Sequence, residues 1–185
     1  MANHYFFAVP LPADVKQRIH EECESLSQEL LFHKWVHQED YHITLAFLGG
    51  ADFGQVKEAM ASMRQPLQQL SPFTLTLDSL GVFGKPQNPR IFWLGVKESS
   101  VLNKTRDVVY KACESAGFSL DKRPFSPHIT VARKWIGSEN FDLSLLNHTA
   151  LTDTFTVDKV VLYETHLHKT PKYKVAETLF FHHND

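Results

Sequence analysis

The pattern His-x-Thr, followed by a branched aliphatic residue and Ala, occurs twice in this chain. The copies are His42-Ile43-Thr44-Leu45-Ala46 and His128-Ile129-Thr130-Val131-Ala132, 86 residues apart. One copy is compatible with almost any fold. Two copies in apolar surroundings ask for two strands, because residues i and i+2 of a strand share a face. His42 and Thr44 then point one way while Ile43 and Leu45 point the other; His128 and Thr130, Ile129 and Val131 repeat the arrangement.

The same shift of 86, without gaps, puts Phe6 on Phe92, Val15 on Val101 and Phe32 on Phe118, and lays YFFAVP over IFWLGV. Each His-x-Thr thereby follows an aromatic strand residue by 36 positions. A second register, shifted by 82, lays PFTLTLDSL over TFTVDKVVL and matches Phe73 to Phe155, Thr74 to Thr156 and Leu80 to Leu162. Self-similarity of this kind reads as an internal duplication. No Gly-, Pro- or Ser-rich linker divides the chain, so residues 1–185 are expected to form one domain of two lobes, with motifs at 42–45 and 128–131.

Strands are expected at 4–10, 42–48, 73–80, 90–96, 155–164 and 173–181 in addition to the second motif, and helices at 13–31, 53–70 and 99–116. Val15, Ile19, Cys23, Leu26 and Leu30 supply helical spacing in the first helix. Pro66 predicts a kink or an early end of the second, and Gly117 a C-terminal stop for the third. Strand and helix interleave in both halves, which makes an α+β fold with antiparallel or mixed sheets. Two such halves meeting about a local twofold axis would set the polar faces of the motifs across a central cleft.

Imidazole has an unperturbed pKa near ~6.5, so one ring can accept a proton while its partner donates one. A Thr hydroxyl beside each can hydrogen-bond a phosphate oxygen. The pattern therefore suits acid–base chemistry on a phosphate ester, a cyclic phosphodiester above all, without metal or other cofactor. Two facing histidines could instead bind zinc, but such sites take three or four protein ligands, and no HExxH, Cys cluster or acidic residue adjoins either motif. His166-Leu167-His168 is expected to be a solvated strand end, and His182-His183 part of a terminal tail.

A formal charge of −2 argues against a protein that holds duplex nucleic acid chiefly by phosphate neutralisation, while leaving room for a small basic pocket. Cys23 and Cys113 fall in helical segments without ligand spacing and are expected to be buried thiols. Nothing resembles a membrane span or a signal peptide, so a cytoplasmic monomer is the expectation.

Several blocks, in order, resemble a family: YFFAVPLPADVK, HITLAFLGG, GVFGKPQNPRIFWLGV, RPFSPHITVARK and FTVDKVVLYETHL. They are similar to the two-histidine phosphoesterase superfamily, in detail to its RNA 2′,3′-cyclic phosphodiesterase branch, also called 2′-5′ RNA ligase. The resemblance implies a bilobal fold and hydrolysis of RNA 2′,3′-cyclic phosphate ends to 2′-phosphates, with ligation as a plausible reverse reaction. It implies His42 as proton donor to the 3′ oxygen and His128 as acceptor from water; the symmetric spacing cannot assign these roles. Arg133 matches a basic position of the family, where the first copy has Phe47. Strict alternation puts Arg133 on the face opposite His128, so a twist, a bulge or a strand end must redirect it toward phosphate. Tyr41, Phe83 and Phe125 are candidates for stacking an RNA base. The competing readings are a nucleotide or RNA-end binding module, and a phosphodiesterase for another cyclic phosphate or for 2′-5′ oligonucleotides.

Overall fold

The computed structural model describes residues 3–147 and 151–182. The first half runs β1 (His4–Pro10), α1 (Ala13–Ser27), β2 (Phe32–Trp35), β3 (His42–Gly50) and α2 (Phe53–Gln68). It is followed by β4 (Phe73–Lys85), β5 (Asn88–Val96), α3 (Ser100–Ser115), β6 (His128–Trp135), β7 (Thr154–Val157), β8 (Lys159–Thr165) and β9 (Tyr173–Phe180). These strands form two antiparallel sheets, ordered β3-β1-β8-β9 and β2-β6-β5-β4-β7. The α+β expectation holds.

Local chemistry explains the helix limits. Asp52 caps α2 by accepting from the backbone N–H groups of Gly54 and Gln55, and Ser99 caps α3 by accepting from Leu102. Gly117, at φ 87°, takes the left-handed conformation that ends α3. Pro66 neither kinks nor shortens α2 much, because it lies in the last turn and the helix stops two residues later. The first helix is shorter than expected, since Phe32 is drawn into β2, a strand that periodicity over four residues does not reveal.

The single strand expected at 155–164 is two. Thr154–Val157 pairs with β4 in one sheet, Lys159–Thr165 pairs with β1 in the other, and Asp158 carries the chain between them. Likewise β2 leaves the first half to pair with β6. The two sheets share the order β3-β1-β8 and β6-β5-β4, with α1 and α3 in corresponding places between strands.

The correspondence differs from the gapless alignment by one residue in β1. Phe7 faces Ala46 and Phe92 faces Ala132, both rings buried, so Phe92 answers to Phe7, an offset of 85. Phe6, which faces Phe47, answers instead to Ile91, which faces Arg133. With a side-chain period of two, that slip exchanges the faces: Phe6 belongs to the cleft and Phe92 to the core. Val101, matched to buried Val15, is exposed. In the C-terminal pairings Leu162 faces Phe7 as Val82 faces Phe92, so Leu162 answers to Val82 rather than Leu80.

One apolar core joins the helices to the outward faces of both sheets, with Phe7, Ile19, Ile43, Met63, Leu94 and Ile129 essentially inaccessible. A separate small cluster of Phe6, Ala8, Val161 and Tyr163, extended by Tyr173, lies on the other face of the first sheet. Among the described residues no helix is long and apolar enough to cross a membrane. Cys23 and Cys113 are free and buried, and burial pushes both thiols up to about 12.

Candidate active site

Both motifs begin their strands. In β3, Thr44 faces Ala8 and Ala46 faces Phe7, leaving Leu45 as an extra residue; in β6, Thr130 faces Trp93 and Ala132 faces Phe92, leaving Val131 extra. Each strand thus carries a bulge immediately after its Thr. Consecutive residues are buried there, Leu45-Ala46 and Val131-Ala132, and the next side chain returns to the polar face. The bulge resolves the problem of Arg133, which joins His128 and Thr130. By the same device Phe47, 60% exposed, joins His42 and Thr44.

These side chains converge on one cleft of about 280 Å³ between β3 and β6, whose lining includes His42, Thr44, Phe47, His128, Thr130 and Arg133. Phe6, Ile91, Leu167, Lys172 and Tyr173, with His4 and Thr165, complete its walls. Each imidazole is oriented by the carbonyl two residues before it. His42 Nδ1 donates to the Asp40 oxygen at 2.7 Å and His128 Nδ1 to the Ser126 oxygen at 2.8 Å. A carbonyl can only accept, so the proton of each neutral ring sits on Nδ1 and leaves Nε2 free for chemistry. His42 Nε2 accepts from the Thr44 hydroxyl at 3.0 Å.

The rings are walled by aromatics. Phe6, Tyr173 and Tyr163 surround His42 at centroid distances of 4.8, 5.2 and 5.7 Å; Phe83 and Trp93 flank His128 at 4.8 and 6.3 Å. Loss of hydration there pulls His42 down to about 4, against the raising effect of the Asp40 carbonyl, with His128 and Arg133 lowering it further. His128 is lowered too, by burial first and by the charge of Arg133 after a raising contribution from Ser126. Both rings are therefore neutral at pH 7 in the free protein.

Asp40 is the residue that sequence reasoning missed. It is 7% exposed, and its carboxylate accepts the backbone N–H groups of Lys172 and Tyr173 at 2.9 Å, fastening the β8–β9 connection over the cleft. Its position two residues before His42 was the available signal. The stacking candidates need correction. Tyr41 is 1% exposed, its hydroxyl against the Cys23 thiol in the core, and has no face for a base. Phe125 packs on the core and under Arg106, outside the cleft lining. Phe83 spends its ring on His128 and Trp93. Of the aromatics that line the cleft, Phe6, Phe47 and Tyr173, Phe47 is the most exposed.

His166 is half-buried and faces Glu164 at 3.4 Å, while His168 is exposed; it is Leu167 between them, 67% exposed, that reaches the cleft rim. His182 is exposed, and His183 lies outside the described residues. Among the described residues no three His, Cys, Asp or Glu side chains gather as metal ligands would.

Two sheets of matching order with a histidine from each at the cleft define the two-histidine phosphoesterase fold. LigT of Escherichia coli, solved with 3′-AMP, superposes with a TM-score of 0.80 at 22% identity over 98% of this chain and 99% of that one. A solved protein of Thermus thermophilus gives 0.81 at 22%, covering 96% and 97%. The chain belongs to the 2′-5′ RNA ligase superfamily, whose model matches residues 11–169. An RNA 2′,3′-cyclic phosphodiesterase of Geobacillus stearothermophilus is 49% identical over 93% of this chain, which spans only 55% of that protein's length. Another, from Bacillus subtilis, is 35% identical over 92% of both chains.

Proposed function

We propose that the cleft hydrolyses RNA 2′,3′-cyclic phosphate ends to 2′-phosphate ends without a metal ion. The observation that carries this reading is the pair of imidazoles, each held by a carbonyl at Nδ1 and lining one cleft with Nε2 available. The names of the relatives in Geobacillus stearothermophilus and Bacillus subtilis support the substrate class. The shared sheet order supports an internal duplication within a single two-lobed domain.

In this mechanism His128 Nε2 takes a proton from water as its oxygen attacks phosphorus. The bond from phosphorus to the 3′ oxygen breaks, and His42, as imidazolium, delivers the Nε2 proton to that oxygen. Thr44, Thr130 and Arg133 hold the phosphoryl oxygens, and Phe47 offers an apolar face to the base. His42 is neutral in the free protein, so the anionic phosphate must raise its pKa on arrival. Substrate binding and loading of the acid are thereby one event. With an RNA 5′-hydroxyl in place of water as the nucleophile, His128 would take that hydroxyl's proton, the bond to the 3′ oxygen would break with that oxygen protonated by His42 as before, and a 2′-5′ phosphodiester would form.

The test is hydrolysis of an RNA with a 2′,3′-cyclic end in EDTA by wild type, His42→Ala and His128→Ala. Each positioned proton transfer contributes on the order of 10²–10⁴-fold, and each variant should lose that much while keeping its circular dichroism. Wild-type turnover by either variant, or wild-type activity abolished by EDTA, defeats the reading. Tight product binding with no turnover at any pH would favour a binding module instead.

A further inference from the structure

We infer that the cleft continues beyond Arg133 into a second anion subsite, formed by Lys34 and Lys172, that takes the phosphodiester preceding the terminal nucleotide of an oligoribonucleotide. This rests on the reading that the reacting phosphate sits between His42 and His128, and it makes an RNA chain, rather than a cyclic mononucleotide, the preferred substrate.

Lys34 is the residue that β2 brings to the site. Although it lies in the first half of the chain, β2 pairs with β6 and sets Lys34 directly across from Arg133. Directly opposed like charges on antiparallel strands are unfavourable. Among the described residues none of Lys34, Arg133 and Lys172 forms an ion pair with a carboxylate; the Asp40 charge acts on Lys172 only at longer range, and Arg133 hydrogen-bonds the Tyr173 side chain. Cations elsewhere find partners, as in Lys16–Glu39 and Arg18–Asp153. From the opposite wall comes Lys172, its backbone N–H held by Asp40 and its ammonium 5.4 Å from the Tyr173 ring centroid. Burial, then the charges of Arg133 and Lys34, depress the Lys172 pKa against a raising contribution from Asp40, so Lys172 lies within the field of both other cations. Strands lie about 4.8 Å apart, so Arg133 and Lys34 offer two neighbouring positive points along the sheet. A chain with one charge per nucleotide can engage both points at once, whereas a cyclic mononucleotide supplies a single charge. In a protein of net charge −2, such a local cluster also draws anions to the cleft.

The experiment compares kcat/KM for adenosine 2′,3′-cyclic phosphate, a short oligoribonucleotide ending in the same cyclic phosphate, and that oligonucleotide with an uncharged methylphosphonate at its last internucleotide linkage. Wild type should favour the charged oligonucleotide. Lys34→Ala and Lys172→Ala should each lower the oligonucleotide-to-mononucleotide ratio about 5–10-fold, Lys34→Arg should restore it, and the neutral linkage should reproduce the loss. The salt slope of log kcat/KM for the oligonucleotide should shrink by about 0.7 in each Ala variant. An unchanged ratio in both variants, or indifference to the neutral linkage, overturns the subsite while leaving the hydrolase reading intact. Should wild type hydrolyse neither substrate, the hydrolase reading fails. Fluorescence anisotropy with the 5′-labelled oligonucleotide then decides the subsite, weaker binding by Lys34→Ala supporting it and equal binding overturning it.

Discussion

Asp40 and Tyr173 stand 133 residues apart, yet the carboxylate of the first accepts the backbone N–H of the second at 2.9 Å. The same aspartate, through its carbonyl, orients His42. One residue thus fixes both the His42 imidazole and the aromatic ring that packs edge-on against it. An amide in place of the carboxylate would keep one accepting oxygen and lose the charge. We expect Asp40→Asn to lower the unfolding free energy by about 1–3 kcal/mol and to raise KM more than a surface control. Urea denaturation with wild-type stability would show that the clamp contributes nothing.

The depressed histidines set a pH dependence. The kcat/KM profile reports the free protein, where both imidazoles titrate below their ordinary value. It should peak on the acid side of pH ~6.5 and fall above, whereas kcat, which reports the bound state, should peak at higher pH. Phosphate binding near pH ~6.5 should take up protons, read by calorimetry in buffers of different ionisation enthalpy. Proton release, or kcat/KM rising from about pH 6 to 8, would contradict this.

Stability should follow the same group. His42 is near 4 folded and ~6.5 unfolded, so below the unfolded value the unfolded chain binds the extra proton. Its contribution is complete above pH ~6.5 and is lost as pH falls toward 4, by at most about 3 kcal/mol. His42→Gln should flatten that part of the pH–stability curve relative to wild type. Identical curves would count against the desolvated ring.

Arg133 and Phe47 occupy corresponding places after the two bulges but should fail differently. In the proposed mechanism Arg133→Ala removes a charge from the phosphate and should cost on the order of 10²-fold in kcat/KM, mostly in kcat. Phe47→Ala removes a stacking face and should raise KM roughly 5–10-fold with kcat nearly kept. Steady-state kinetics giving the two variants the same split would refute the assignment.

Gly81 lies under Trp93, whose ring flanks His128; a Cβ built on Gly81 would meet that ring at 2.1 Å. Gly81→Ala must therefore move the indole, at a cost of about 1–3 kcal/mol, and disturb the His128 wall with it. Thermal denaturation matching wild type would show that the ring has room to yield.

Much of the architecture is legible because it repeats. The stripe Val15, Ile19, Cys23 announces the first helix and Gly117 the end of the third, and the paired motifs announce two like strands. The bulges were legible in part, since Leu45-Ala46 and Val131-Ala132 each break the alternation with two adjacent apolar residues. The true register of β1 was hidden, because Phe6 and Phe7 are equally apolar and only pairing with Phe47 and Ala46 tells their faces apart. Tyr41 looked available beside His42, yet adjacency in a strand means opposite faces, and its ring went to the core.

The amino-acid order by itself determined where helices start, which side chains of one strand alternate between faces, and that two imidazoles would be carried on similar strands. These follow from interactions among near neighbours in the chain. Only the tertiary structure decided that Asp40 would fasten Tyr173, that β2 would lay Lys34 beside Arg133, and that Asp158 would separate strands of different sheets. Those pairings join segments distant along the chain, and backbone hydrogen bonding, which is blind to side-chain identity, leaves no local mark of the partner it will find.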